Sequence, residues 1–265
     1  MKMILLLWAA LFASITIHAQ QKEGKVTYAR TLQMQIVIND GDEALQNMLP
    51  KSRTDNFELH FANNQSIWRQ AEKEIDEETA FGSGGVQIRV MGGGSDDVLF
   101  NDFNTGKKVE QRELFDKKFI VDDSIRALQW KMTGETKVIL NHTCMKAIAT
   151  TITRRMQSMM ENGKVERKEV EDTASIVAWF APDIPVSAGP AEYQGQLPGL
   201  ILELNVNEGR LIFIATEITA KADVSAIKAP TGKKRYTQDE FVKERNKMLE
   251  EMEKNNGGGR RVMRF

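Results

Sequence analysis

Apolar and polar residues alternate at period two along much of this chain, the pattern of strands in a sheet with one wet face. Val26, Tyr28, Leu32, Met34, Ile36 and Ile38 alternate with Thr27, Ala29, Thr31, Gln33 and Gln35. Phe57, Leu59 and Phe61 alternate with Glu58 and His60, and Asn63-Asn64 predicts a tight turn into Ser66–Gln70, because asparagine tolerates positive φ. Val98–Phe103 and Lys107–Leu114 flank a turn at Asn104-Thr105-Gly106. Phe119–Val121, the stretch around Trp130 and Met132, and the segments either side of Asn141-His142 read as further strands. Asn162-Gly163 predicts a hairpin between Ala147–Met160 and Lys164–Asp172. Ser175–Phe180 is apolar on both faces, hence a central strand. Leu200, Leu202, Leu204 and Val206 alternate with Glu203 and Asn205, and Asn207-Glu208-Gly209 leads into Leu211–Ile218.

Other segments break this rhythm. Ala44, Leu45, Met48 and Leu49 recur at helical spacing in Asp40–Ser52, where Pro50 limits the end of a short helix. Residues 71–97 combine an acidic run, Glu72 to Glu78, with two glycine clusters; such composition buries too little apolar surface to offset its ordering entropy and predicts a flexible insertion around a short strand, Gln87–Met91. Thr237-Gln238-Asp239-Glu240 is a capping box, and Phe241, Arg245, Met248, Leu249 and Met252 then share one side of a helix over 237–254. A basic tail, 255–265, is expected to be disordered. The fold expected is α+β, mainly β: a large curved antiparallel sheet or open half-barrel over 20–236, with the C-terminal helix packing on or near it.

Four of the six prolines, Pro182, Pro185, Pro190 and Pro198, crowd into one window between apolar strands. Each fixes φ and removes a backbone donor, so the window is a rigid, extended connector leaving the strand that ends at Phe180 and entering the one at Leu200. Trp179 and Phe180 are expected in the core. The connector is architectural, or else a preformed loop over a sheet face that gates a pocket or presents a partner surface.

Composition narrows the functional classes. Net charge is −1 with acids and bases interspersed, which argues against a nucleic-acid partner. Residues 1–19 have the charged start, apolar run and small final residue of a secretory signal, and no later run is long enough for a transmembrane helix. Cys144 is the one cysteine, so no intramolecular disulfide can form. A Cys144–His142 nucleophile and base pair lacks an orienting partner, and a small buried cysteine is the expectation. No Cys/His spacing fits zinc. Met156, Met159 and Met160 are a weak alternative as a thioether site for Cu(I), and the acidic run 72–78 lacks the ligand spacing of a calcium loop. The glycine clusters make no phosphate cradle, and there is no G-x-S-x-G elbow. No catalytic residue, metal or cofactor is therefore assigned.

Ala178-Trp179-Phe180-Ala181-Pro182-Asp183-Ile184-Pro185, Ser187-Ala188-Gly189-Pro190 and Leu197-Pro198-Gly199-Leu200-Ile201-Leu202, with Lys137–Leu140 leading to Cys144, resemble the GLPGLI family of exported bacterial proteins. The motif's first glycine is replaced here by Gln196, and a Gly-Tyr pair common before the cysteine by Asn141-His142. The resemblance implies a secreted, β-rich envelope protein, in the periplasm or at the surface of a diderm bacterium, and no established activity. The motif residues it singles out are Trp179, Pro182, Pro185, Gly189, Pro190, Leu197, Pro198, Gly199, Leu200 and Ile201. A curved sheet with a covering helix also resembles periplasmic lipoprotein carriers, whose concave face holds acyl chains; this is fold analogy. The functional expectation is a non-catalytic binder of a hydrophobic ligand, a lipid or lipoprotein acyl chain, on a sheet face. The alternative is a docking module of an envelope complex, and a hydrolase is the third reading.

Overall fold

A computed structural model describes residues 22–33, 51–72, 97–161 and 164–257. The proposed signal, residues 34–50, most of the Gly-rich insertion, Asn162-Gly163 and the end of the basic tail lie outside these, as do the side chains of 153–170. The described chain forms β1 (Gly24–Gln33), β2 (Ser52–Ala62), β3 (Gln65–Gln70), β4 (Val98–Asp102), β5 (Lys107–Leu114), β6 (Lys117–Ser124), β7 (Lys131–Ile139), β8 (His142–Glu161), β9 (Lys164–Ala181), β10 (Leu200–Val206), β11 (Leu211–Thr219), β12 (Arg235–Thr237) and one helix, α1 (Gln238–Gly257). All twelve strands join one open sheet in the order β12-β6-β5-β4-β3-β2-β1-β11-β10-β9-β8-β7.

The pairings are antiparallel except at one edge, where β12 runs parallel to β6. At that edge β12 is reached by a long excursion, not a hairpin, so nothing forces it to reverse. The predicted Asn63-Asn64 turn has φ of 52° and 58°, as a two-residue hairpin with native twist requires. At the β7–β8 hairpin the positive φ values fall on Leu140 and Asn141, one residue earlier than expected, and His142 already pairs with Ile139.

The connection from β6 to β7 dictates the shape of the sheet. These strands lie ten positions apart, which in a flat sheet is about 48 Å. The chain from Ser124 to Lys131 reaches at most about 25 Å when fully extended. The sheet must therefore curl until its ends approach, and residues 125–130 cross the mouth of the resulting half-barrel.

Inside the curl, alternating side chains pack as an aromatic cluster. Trp68 stacks on Phe57 with centroids 5.0 Å apart, and meets Tyr28 at 5.4 Å and Phe213 at 5.9 Å. The Tyr28 hydroxyl donates to the Ile201 carbonyl at 2.6 Å, and burial raises its pKa. The opposite face of β2–β6 carries a second cluster, Ile67, Phe100, Val109 and Ile120, covered by Ile227 from the 220–234 segment.

Helix α1 begins as its capping box predicts. The Glu240 carboxylate accepts from the Thr237 backbone N–H at 2.8 Å, and the Glu240 N–H donates to the Thr237 hydroxyl at 3.3 Å. Phe241 and Met248 bury against Phe119 and Val121, while Leu249 remains exposed. Phe241 lies edge-on to Phe119 at 5.4 Å and beneath the Arg112 guanidinium at 5.0 Å. Phe241→Ala should lower stability by about 3 kcal/mol in urea unfolding and expose α1 to proteolysis at concentrations that leave the wild type intact.

Candidate functional site

The proline window connects β9 and β10, which are neighbours: Leu200 pairs with Ala181. The chain thus leaves the sheet and returns beside its own departure point, laying residues 182–199 over the inner face. The prolines govern which side faces in. Pro182, Pro185 and Pro198 are exposed, whereas Ile184, Val186, Ala188, Pro190, Tyr193 and Leu197 are buried. The loop is thereby part of the main core.

Its glycines are explained by close approach. A Cβ on Gly199 would lie 2.5 Å from the Ala181 carbonyl oxygen, backbone that cannot yield. One on Gly189 would lie 2.8 Å from the Ile201 side chain. Gly195 has φ +76° and sits against Ile125. Side chains then pin the loop to the barrel. Ser66 on β3 donates to Gln194 at 2.6 Å, and the Gln194 amide donates to the Ala191 carbonyl at 3.0 Å.

Gln196, which replaces the motif's first glycine, has a role of its own. Its side-chain oxygen accepts from both the Leu128 N–H and the Trp130 indole N–H, each at 3.0 Å, and its amide donates to the Glu192 carbonyl at 3.1 Å. This one side chain ties the 125–130 crossing to the loop. Trp179 meets the expectation only in part: Phe180 is buried, whereas Trp179 lies on the other face of β9, half-buried against the core, with the Lys137 ammonium 4.4 Å and the Lys146 ammonium 5.8 Å from its ring. Those lysines pair with Glu203 and Glu135. The cause is the period of two, which sends adjacent residues to opposite faces.

Loop and helix fill the two ends of the concave face and leave a cleft of about 570 Å³ between them. Trp68, Leu99, Ile125, Leu128 and Tyr193 give it apolar surface. Its floor is charged. The Glu110 carboxylate receives Lys108 at 2.7 Å and Arg112 through Nε at 2.6 Å; Lys108 also lies 3.8 Å from Asp123, which Arg126 meets at 3.4 Å. Burial would raise the Glu110 pKa, but Arg112 and Lys108 outweigh it and hold the carboxyl below its ordinary range.

Three further residues line the cleft. The Asn101 side-chain nitrogen is buried without a hydrogen-bond partner, and so is the Gln238 side-chain oxygen at the start of α1. The Glu192 side chain hangs from the loop into the cavity: its surface is open to that space, yet the surrounding protein desolvates it and raises its pKa.

The remaining sequence candidates do not converge here. Cys144 is fully buried, and burial pushes its thiol up to about 11, helped by the Asp183 charge. Its thiol donates to the His142 carbonyl, whereas the His142 ring pairs with Asp183 at 2.7 Å. The imidazole is thus committed away from the sulfur. Met156, Met159 and Met160 lie in the part of β8 whose side chains are outside the described residues. Among the described residues no three His, Cys, Asp or Glu side chains group as metal ligands.

The cleft was not legible in the sequence, because its lining comes from β3, β4, β5, β6, β8, the crossing, the loop and α1. One signal was present: Lys108, Glu110 and Arg112 alternate in sign on one face of a strand that lies inside the sheet.

Gly199→Ala should cost about 2–3 kcal/mol in urea unfolding, as overpacking against backbone requires. Gln196→Gly strands two donors, and should cost about 2 kcal/mol with a shift in Trp130 fluorescence. Native protein should react slowly with iodoacetamide at neutral pH; rapid alkylation of Cys144 would contradict its burial. Glu110's ion pairs contribute stability above the unfolded carboxyl pKa and lose it as pH falls through the lower folded value, so Glu110→Gln should flatten the acid limb of a stability–pH profile.

Comparison with known proteins adds the following. No curated protein matches the chain. The solved structure of PNGF-II is similar with a TM-score of 0.48 and 16% identity over 86% of this chain and 32% of that one, so this chain spans about a third of its length. LprF from Mycobacterium bovis is similar with a TM-score of 0.28 and 10% identity over 81% of this chain and 92% of that one. A family model described as a protein of unknown function (Porph_ging) matches residues 130–203, which include the β9 end, the proline loop and the start of β10.

Proposed function

We propose that this is an exported, non-catalytic protein of the cell envelope, of GLPGLI type, that binds an amphiphile in the cleft under the proline loop. The matched segment 130–203 contains the Leu197–Leu202 run on which that resemblance rests. Export rests on the signal-like residues 1–19; among the described residues no helix is long and apolar enough to cross a membrane.

The single observation behind the binding reading is the cleft itself. About 570 Å³ falls within the usual range of small-molecule sites, roughly 300–1,000 Å³. Its lining refines the hydrophobic ligand expected from the sequence. A lipid or lipoprotein acyl chain finds apolar surface at Trp68, Leu99, Ile125 and Leu128, but the charged floor requires a polar head beside it. The loop that roofs the cleft is anchored at both ends and in the middle, so little ordering cost falls on binding.

A docking role has one feature in its favour. Among the described residues the β8–β9 ladder runs from Ile152 and Thr173 to Glu161 and Lys164 without a ladder to β7 or β10. Protein isolated from the envelope of its native host should release a stoichiometric amphiphile detectable by mass spectrometry. Ligand-free protein that envelope lipid extracts fail to stabilise in thermal unfolding would overturn the binding reading, and a stoichiometric cross-linked protein partner in cells would favour docking.

A further inference from the structure

Charges on the cleft floor run in an unbroken alternating chain: Arg126, Asp123, Lys108, Glu110, Arg112. It starts and ends on a cation, so among the described residues three positive charges face two negative ones and one positive charge is left over. The other ionisable carboxyl among the described lining residues is Glu192, hanging from the roof. Ionised, it neutralises the cleft; protonated, it leaves the surplus for something else.

Asn101 gives a second, independent indication. It is only 2% exposed, it lines the same cavity, and its amide nitrogen has no acceptor. A buried donor without a partner costs about 1–3 kcal/mol, and buried polar groups are rarely left so without a reason. The cleft lining therefore holds one unused donor, buried just behind its surface, and one surplus positive charge beside an apolar wall.

We propose that the cleft binds a singly charged carboxylate amphiphile, its head accepting from Asn101 above the Lys108–Arg112 floor and its chain lying along Trp68, Leu99 and Leu128, with Glu192 as the internal counter-charge that the ligand replaces. This rests on the cleft being a ligand site and names its ligand class. The unpartnered oxygen of Gln238 seeks a donor and is not used by such a head.

Replacement makes binding proton-linked. Glu192 faces Lys108, Glu110 and Arg112 from β5, with Asp123 from β6, Arg126 from the crossing and Tyr193 beside it on the lining. Desolvation already favours its neutral form, Glu110 adds to this, and Lys108 and Arg112 oppose it. A bound carboxylate disfavours the charged form further, so binding takes up a proton and weakens as pH rises through the titration of Glu192.

The test is isothermal titration calorimetry of the mature protein with decanoate, decanol and decylamine below their micellar concentrations. Decanoate should bind at least about tenfold more tightly than either uncharged or cationic analogue, the worth of one partly desolvated charge pair. Titrations in buffers of different ionisation enthalpy should show proton uptake. Glu192→Gln should bind decanoate about tenfold more tightly on the alkaline side of the profile and lose the wild type's decline in affinity with rising pH. Lys108→Met, checked for native circular dichroism, should weaken decanoate and spare decanol.

Decanol binding as tightly as decanoate, or decylamine more tightly, overturns the carboxylate assignment and leaves the cleft as a ligand site. An unchanged pH profile in Glu192→Gln overturns the counter-charge role. Absence of binding by all three alkyl probes removes the cleft reading as well.

Discussion

A connection too short for a flat sheet is the constraint from which the rest of this structure follows. Residues 125–130 join strands ten places apart, so the sheet must close on itself far enough for six residues to bridge its ends. Closure creates an inside, and the crossing becomes its rim. Gln196 converts that geometric necessity into a fixed position, because its carbonyl takes one hydrogen bond from the crossing backbone and one from Trp130. The open edges at β7 and β12 survive, since the crossing spans the gap without supplying a strand.

The inner space is then divided by two inserts of different character. The proline loop is stiff: its exposed prolines set the backbone, and its buried Ile184, Val186 and Leu197 bind it to the aromatic core around Trp68. Helix α1 packs through Phe241 and Met248 at the other end. Between them lies the cleft, where Lys108, Glu110 and Arg112 point inward. Ionic groups below a partly apolar roof are costly to desolvate, and pairing each carboxylate with two cations offsets that cost. Such an arrangement is a poor way to fill a core, and a reasonable way to receive a ligand with a head and a tail.

Much of the architecture is legible in the residue pattern. Period-two alternation located Val26–Tyr28, Phe57–Phe61 and Leu200–Val206, and the capping box opened α1 where Thr237 and Glu240 stand. Strand membership depends on neighbours one or two residues away, so local pattern is enough. The parallel partner of β12 escaped because it depends on a long-range contact. The glycines of the proline loop were legible only as part of a resemblance. That Gly199 cannot carry a side chain follows from the Ala181 carbonyl, eighteen residues earlier in the chain but adjacent across the β9–β10 ladder.

By itself, then, the sequence determined the class of structure: short alternating strands, one capped helix and a proline-stiffened connector, each set by local backbone preference and side-chain period. Tertiary structure alone decided that the connector roofs a cavity, that Gln196 clamps it to the crossing, and that three alternating charges on β5 face inward with Asn101 and Glu192 around them. Those facts depend on how far the sheet curls, and curl is settled by the whole ladder closing over one short link, a quantity that no local stretch of residues encodes.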